Sequence, residues 1–500
     1  MRKTSLAYRA LPFALCIATV FGLASAIPSS NAQEEKLKLY PLCYGVHVRK
    51  DIATLSANEI ASLRKGVKVM MSRAPSDPTS WWYQANMHGT YDTPTQPLWN
   101  GCQHASYFFF SWHRMYLYYF ERILRAASGD PYLTLPYWNY TLPSERAIPL
   151  PYRQPADGTN PLYVANRDAT MNAGGSAPAS AVSYSVAFSD LNFEAAFGAS
   201  FGGNSVPAPI QFDSGTGDLE SQPHNVMHCV VGGLMCDPDT AAQDPVFWLH
   251  HSNIDRLWKR WLDQGGGRSS PTSDAAWMNT TFQFYDESGA LASKAGKDIL
   301  NTITQLDYRY DDDPPSWIIW HPPWEAVAAR QIAPGPPEKL AVREESKVEL
   351  AAEPVHIELK LSADAESKID RMLADREKPH AVVLNLNGVE FQGNPGSYYE
   401  VYINLPWPFR EPPDFHCIYY VGNLSLFLPR KAGHAAHKTG MVSFDLTRLI
   451  QTMKEEKAWS GKELTVTFVP QEPIPPEGEK QREAKPGVRA TVESISLVAK

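Results

Sequence analysis

Histidine is unevenly spread along the 500 residues, and its spacing limits what the chain can fold into. His224 and His228 are four residues apart, so on a helix their rings lie on one face and can converge on one point. His250 and His251 come next, as neighbours. Adjacent helical residues point about 100° apart, so only one of these two can join that point. Asp255, four residues beyond His251, is placed to accept its second ring N–H. A further group is His88, His104 and His113. Nine residues at about 100° each put His104 and His113 on opposite sides of a continuous helix, so both can face one point only if His104 precedes the helix. His88, beside Gly89, must then come from a preceding loop or helix end.

Local punctuation supports that scaffold. Ser106 is a candidate N-cap for FFFSWHRMYLYYFERILRA, which stops at Ser128-Gly129. Asp244 caps a second helix, with Pro245 in its first turn, and VFWLHHSNIDRLWKRWLDQ ends at Gly265-Gly266-Gly267. A third helix is expected to begin at Pro223 and carry HNVMH. The stretch 143–209 is rich in Pro, Gly, Ala and Ser and reads as surface loops.

Tryptophan marks the extent of this helical domain. Of 14 tryptophans, only Trp407 and Trp459 follow Trp324, which places a boundary near residue 325. A Pro-rich, charged segment over 326–354 has the character of a linker. Beyond it, 355–500 contains β-branched and aromatic runs at 382–386, 398–405, 417–428, 441–446, 464–469 and 490–498, separated by Gly, Pro and Asn turns. That pattern predicts an all-β sandwich or barrel.

The N-terminus has the form of a cleavable leader: Arg2-Lys3, an apolar stretch from Leu11 to Leu23, then Ala24-Ser25-Ala26. The apolar stretch is broken by Pro12 and is shorter than the ~20 residues of a membrane span. Cleavage after Ala26 predicts a secreted or periplasmic protein with no membrane partner. It leaves Cys43, Cys102, Cys229, Cys236 and Cys417, an odd number in an oxidising compartment. The net charge of −8 lacks the basic footprint that nucleic-acid binding needs.

Two groups of three histidines, without acidic residues or paired thiols among the candidate ligands, favour copper or zinc over calcium, magnesium or an iron–sulfur cluster. Periodicity leaves copper and zinc both open. The residues WWYQANMHG (81–89), CQH (102–104), FFFSWHR (108–114), HNVMH (224–228) and DPVFWLHHSNIDRLW (244–258) resemble the two copper-binding regions of tyrosinases and catechol oxidases, the type-3 copper proteins. Tyr308-Arg309-Tyr310 resembles the Tyr-x-Tyr pair that closes their catalytic domain. SYYEVYINLPW (397–407) resembles, less specifically, the C-terminal domain of plant-type polyphenol oxidases.

The resemblance implies a mainly α catalytic domain over 27–325, a four-helix-bundle core around a dicopper site with long loops. His88, His104 and His113 would hold CuA, and His224, His228 and His251 would hold CuB. His250, Asp255 and Phe247 would support the ligands from behind. It implies O2 as co-substrate and small phenols as partners: ortho-hydroxylation of monophenols and oxidation of o-diphenols to o-quinones. Catechol oxidation alone and o-aminophenol oxidation are the alternatives. An oxygen carrier of the hemocyanin kind or a zinc hydrolase is weaker, since HNVMH lacks the glutamate of H-E-x-x-H. Cys102, two residues before His104, stands where family members form a Cys–His thioether, and Cys229 and Cys236 would then pair. Glu220 and Asn225 match positions that hold a water taking the phenol proton. The position gating CuB falls near Pro238. Arg114, Glu121 and Arg256 would form buried ion pairs. The C-terminal domain would act in cis, shielding the pocket with an aromatic side chain from the Tyr419-Tyr420 region.

Overall fold

A computed structural model describes residues 46–195, 200–207, 209, 215–313, 338–343, 347–374, 380–391, 397–409, 412–427, 437–438, 441–459, 461, 463–479 and 490–499. The leader, Cys43 and most of the expected linker lie outside them. Five helices carry the catalytic domain: α1 (Ala57–Ser72), α2 (Trp81–His88), α3 (Phe108–Ser128), α4 (Val226–Val231) and α5 (Pro245–Asp263). Ser56 and Glu59 cap α1 reciprocally, Ser80 caps α2, and Asp244 caps α5 through Val246 N–H. Asp244 is itself fixed by a two-point ion pair to buried Arg167, at 2.8 and 2.7 Å. α3 starts two residues after Ser106, and Gly129 closes it in the left-handed conformation (φ 71°).

The segment expected as one helix from Pro223 is different. Glu220–Asn225 forms a wide turn, broken by the extended backbone of Gln222 (φ −151°, ψ 124°), and only then does α4 begin. His224 therefore sits in the turn and His228 in the helix. Around these helices, β1 (His47–Arg49) pairs in parallel with β4 (Tyr308–Tyr310), and β2 (Thr281–Tyr285) pairs with β3 (Leu291–Ala295). The first pair brings Arg49 beneath the Tyr-x-Tyr segment, with its guanidinium 3.6 Å from the Tyr308 ring centroid. No helix among the described residues is long and apolar enough to cross a membrane.

The C-terminal region is built from antiparallel sheets. One has the order β11 (Tyr420–Leu424), β10 (Tyr398–Ile403), β14 (Glu463–Gln471), β7 (Val355–Lys360). A second runs β13 (Met441–Asp445), β8 (Val382–Asn387), β16 (Ser494–Ala499), β5 (Glu338–Arg343), and a third β12 (His437–Lys438), β9 (Glu390–Phe391), β15 (Ala490–Val492), β6 (Val348–Leu350). β5 and β6 lie in the stretch read as a linker; charged residues alternate there with apolar ones, and Leu340, Val348 and Leu350 face inward. Two helices, α6 (Ala365–Ala374) and α7 (Thr447–Glu455), were not anticipated among the strands. Their buried residues are few and spaced helically, Ala365 and Ile369 in one and Ile450 and Met453 in the other.

Candidate metal centre

His88 is the last residue of α2, His104 lies in the loop before α3, and His113 is inside α3. Ala105, with φ of 53°, turns the chain between His104 and α3. Its N–H donates to the Glu220 carboxylate at 2.8 Å, which ties this loop to the turn that carries His224. The His88–His104, His104–His113 and His88–His113 ring centroids are 5.1, 5.2 and 5.6 Å apart. In the second group, the Nε2 atoms of His224, His228 and His251 approach one another at 3.1 to 3.3 Å. A tetrahedral ion with ~2.0 Å bonds to imidazole nitrogen places its ligand atoms about 3.3 Å apart, so the three rings fit one ion. His113 stacks on His251 at 4.5 Å and 15°, which sets the two groups side by side.

The rings are aimed by their other nitrogens. His88 Nδ1 bonds the Pro238 carbonyl at 2.8 Å, His113 Nδ1 that of Phe109 at 2.8 Å, and His228 Nδ1 that of Met235 at 2.7 Å. His224 Nδ1 bonds Asn225 Oδ1 at 2.8 Å. Those bonds fix the tautomer and leave Nε2 as the lone-pair nitrogen. The Nε2 atoms of His88 and His113 are buried and make no hydrogen bond to the protein, as expected of metal ligands. Burial holds every ring of the two groups below the ordinary imidazole range, His88 at about 4, so all are neutral and able to ligate at neutral pH.

His250 lies flat against His224 at 5.2 Å, with its Nδ1 3.1 Å from the Tyr140 hydroxyl. Phe247 packs on His251 at 4.1 Å and on His88 at 4.9 Å. Asp255 does not accept from His251, whose Nδ1 makes no hydrogen bond. Its oxygens are taken by Arg114 Nε at 2.6 Å and by the Tyr308 and Tyr310 hydroxyls, each at 2.6 Å. Burial pushes the Asp255 carboxyl up, and Arg114 and Arg49 outweigh it, holding the group below the ordinary carboxylate range. Glu121 pairs with buried Arg49 at 2.8 Å, as expected, whereas Arg256 pairs at 2.6 Å with Asp312, whose side chain is 34% exposed. At Pro238, near the expected gating position, the backbone carbonyl bonds His88 of the first group.

Cys229 and Cys236 form a disulfide, and Cys102 Sγ lies 3.3 Å from His104 Nδ1. The side chain that covers the site comes from the C-terminal region, and it is Phe427 rather than Tyr419 or Tyr420. Phe427 stacks on His228 at 3.9 Å and 17° and reaches His224 and His104 at 5.8 and 6.0 Å. Tyr420 instead donates to Gln222 Oε1 at 3.2 Å, and Ser425 Oγ donates to the Asn225 carbonyl at 2.6 Å. Phe427 lies within the run read as a strand at 417–428, but the structure ends β11 at Leu424, and the partners of Phe427 are far along the chain.

Residues 78–210 and 197–264 match the family described as the common central domain of tyrosinase. Residues 272–323 match the polyphenol oxidase middle domain, and 338–497 match a domain of unknown function. The chain is 38% identical over 301 residues to a tyrosinase of Hahella sp. (strain CCB-MM4), covering 52% of this chain and 62% of that one. It is 29% identical over 446 residues to a chloroplastic polyphenol oxidase of Malus domestica, covering 81% and 72%. The chain thus spans 62% to 72% of the length of these two relatives. In fold it is similar to latent apple tyrosinase (TM-score 0.59, 23% identity, 91% of this chain and 97% of that one). It is equally similar to latent aurone synthase, a polyphenol oxidase (TM-score 0.58, 22% identity, 91% and 90%).

Proposed function

Because the chain belongs to the tyrosinase and polyphenol oxidase family, we propose that it oxidises small phenols with O2 at a pair of copper ions. His88, His104 and His113 hold one ion, and His224, His228 and His251 hold the other. The observation that carries this reading is the convergence of three Nε2 atoms at 3.1 to 3.3 Å beside a second buried group of three neutral imidazoles. When bound, the copper pair supplies the activation of dioxygen and the two-electron oxidation of the phenol. The chain supplies the rest: Phe247, Phe109 and Trp112 pack around the imidazoles and exclude water.

We read the activity as ortho-hydroxylation of monophenols together with oxidation of o-diphenols to o-quinones. Glu220 supports it. Burial raises its carboxyl to about 8 against the N–H bonds of Ala105 and Gly217, and a base in that range is better matched to a phenol of pKa about 10 than an ordinary glutamate. Asn225 orients His224 at the same turn. The 3.3 Å approach of Cys102 Sγ to His104 supports a thioether. Joining sulfur to the ring removes one hydrogen from each, with O2 as the oxidant. Phe427 supports a C-terminal domain that shields the copper pocket in cis. The leader supports export with cleavage after Ala26, which N-terminal sequencing of the mature chain checks.

The deciding experiment loads the purified chain with copper, counts the ions and assays monophenol and diphenol separately with oxygen uptake. Two ions per chain and quinone from both substrates are expected. Copper-independent hydrolysis, or reversible oxygen binding without quinone, would overturn the proposal, and quinone from diphenol alone would reduce it to catechol oxidation.

A further inference from the structure

The segment between His228 and His250 does something the candidate ligands themselves do not reveal. After His228 the chain reverses at Gly232 and Gly233, both in the left-handed region (φ 69° and 62°), and then makes a short helical turn over Gly233–Cys236. Met235, in this turn, gives its carbonyl to His228 Nδ1 at 2.7 Å. Three residues later, Pro238 gives its carbonyl to His88 Nδ1 at 2.8 Å. One short stretch of backbone therefore aims a ligand of each copper site. Gly89 lets it come close: a Cβ there would stand 2.6 Å from the Pro238 carbonyl oxygen. Asp237, between the two carbonyls, accepts from the Tyr91 hydroxyl at 2.7 Å. The stretch is covalently fixed at its start, since Cys236 is bonded to Cys229, the residue next to His228, and both cysteines are buried.

We propose that the Cys229–Cys236 disulfide is a positioning staple for both copper sites, acting through the Met235 and Pro238 carbonyls. The inference rests on the dicopper reading above. Without the bond, the stretch is held to α4 by the burial of Met235 and by hydrogen bonds, among them Gly232 N–H to the His228 carbonyl at 3.1 Å. Both carbonyls would then sample positions in which His228 and His88 are no longer aimed. Losing such an outer-shell partner typically costs about 10- to 100-fold in metal affinity.

The test compares the copper-loaded full chain with the C229A/C236A variant and with wild-type chain reduced by a phosphine and desalted before loading. The reduced wild-type chain keeps the proposal falsifiable if the double variant fails to fold. Copper release to excess chelator is followed by metal analysis, at a temperature where circular dichroism shows the chain folded. Electron paramagnetic resonance is recorded on the chain after gel filtration has removed the chelator and the copper it holds, because a coupled Cu(II) pair is silent and a lone Cu(II) ion is not. Release roughly 10- to 100-fold faster, with both ions lost together and no lone-ion signal, is expected. A disulfide that only stabilises the fold would lower the melting temperature and leave release unchanged, which overturns the proposal. Build-up of a lone Cu(II) signal also overturns it, since the staple would then act on one site. A wild-type chain that takes up fewer than two ions instead overturns the dicopper reading itself.

Discussion

Four of the candidate ligands, His88, His113, His224 and His228, have one ring nitrogen aimed by a hydrogen bond from the protein, which leaves the other for a metal. Replacing His251 with glutamine removes a corner of the Nε2 triangle and leaves the other group intact, so metal analysis should fall from two copper ions per chain to one. Glu220 gives a pH-dependent expectation. Its carboxyl is raised to about 8 from an ordinary value near 4.3, so the folded chain binds this proton more tightly than the unfolded one. Its contribution to stability is fully present below pH ~4.3 and is lost as pH rises to about 8. Monophenol turnover should rise through the same upper limit. Glu220→Gln should flatten both profiles, read by thermal unfolding and initial rates, while diphenol turnover keeps its own profile. The i, i+4 spacing of His224 and His228 was visible in the sequence, but the set of six candidate ligands came from the resemblance of whole segments to type-3 copper proteins, and the structure places His224 in a turn rather than on the helix of His228. Asp255 was misread for a complementary reason: its position four residues from His251 is local, but Arg49, Arg114, Tyr308 and Tyr310, which capture it, come from three other elements.

Among the elements, α5 carries both a ligand and the anchor that orients it. Asp255 joins α5 to α3 through Arg114, to β1 through Arg49 and to β4 through Tyr308 and Tyr310. Asp255→Asn should leave two buried guanidiniums without full compensation and destabilise the chain by about 3–5 kcal/mol, measured by denaturant unfolding. The caps at Ser56, Ser80 and Asp244 arise from short sequence signals, and α5 runs to within a few residues of its glycine stop. The turn Glu220–Asn225 did not arise from such signals. Its shape is imposed by contacts from outside: Glu220 with Ala105 on one side, Gln222 with Tyr420 on the other. Beyond residue 380 the longer strands were readable as β-branched and aromatic runs between turn residues, while the two-residue strands β9 and β12 were not. The partners of the longer strands were not readable either, since β14 lies between β10 and β7, and β16 between β8 and β5.

For the whole molecule, the C-terminal region meets the helical domain at the turn that carries His224. Phe427→Ala should open the face of His228 and raise diphenol turnover of the intact chain toward that of chain cleaved between 314 and 337, measured as kcat and KM for substrates of increasing size. Unchanged rates in both would sink the shielding idea. A second contact is acidic. Asp190 and Asp218 face each other with Asp445 and Arg448 of the C-terminal region nearby, and burial together with the neighbouring carboxylates holds both above the ordinary carboxyl range. The contact is thus stable while these groups keep a proton and weakens as pH rises past the ordinary range toward neutrality and above. Limited proteolysis should show release at lower pH in wild type than in Asp218→Asn.

The sequence by itself determined the course of α3 and α5, the Asp244 cap and the strand-rich character of residues 355–500, because each depends on residues close along the chain, and its resemblance to the type-3 copper proteins named six candidate ligands. Only the tertiary structure decided which aromatic ring covers His228, which carboxylate anchors α5 and which carbonyls aim His88 and His228. Those contacts join residues as far apart as Arg49 and Asp255, 206 positions along the chain, and no local spacing encodes them. Burial is the physical reason. A ring or carboxylate left among apolar groups must find a partner, and packing sets which partner is within reach.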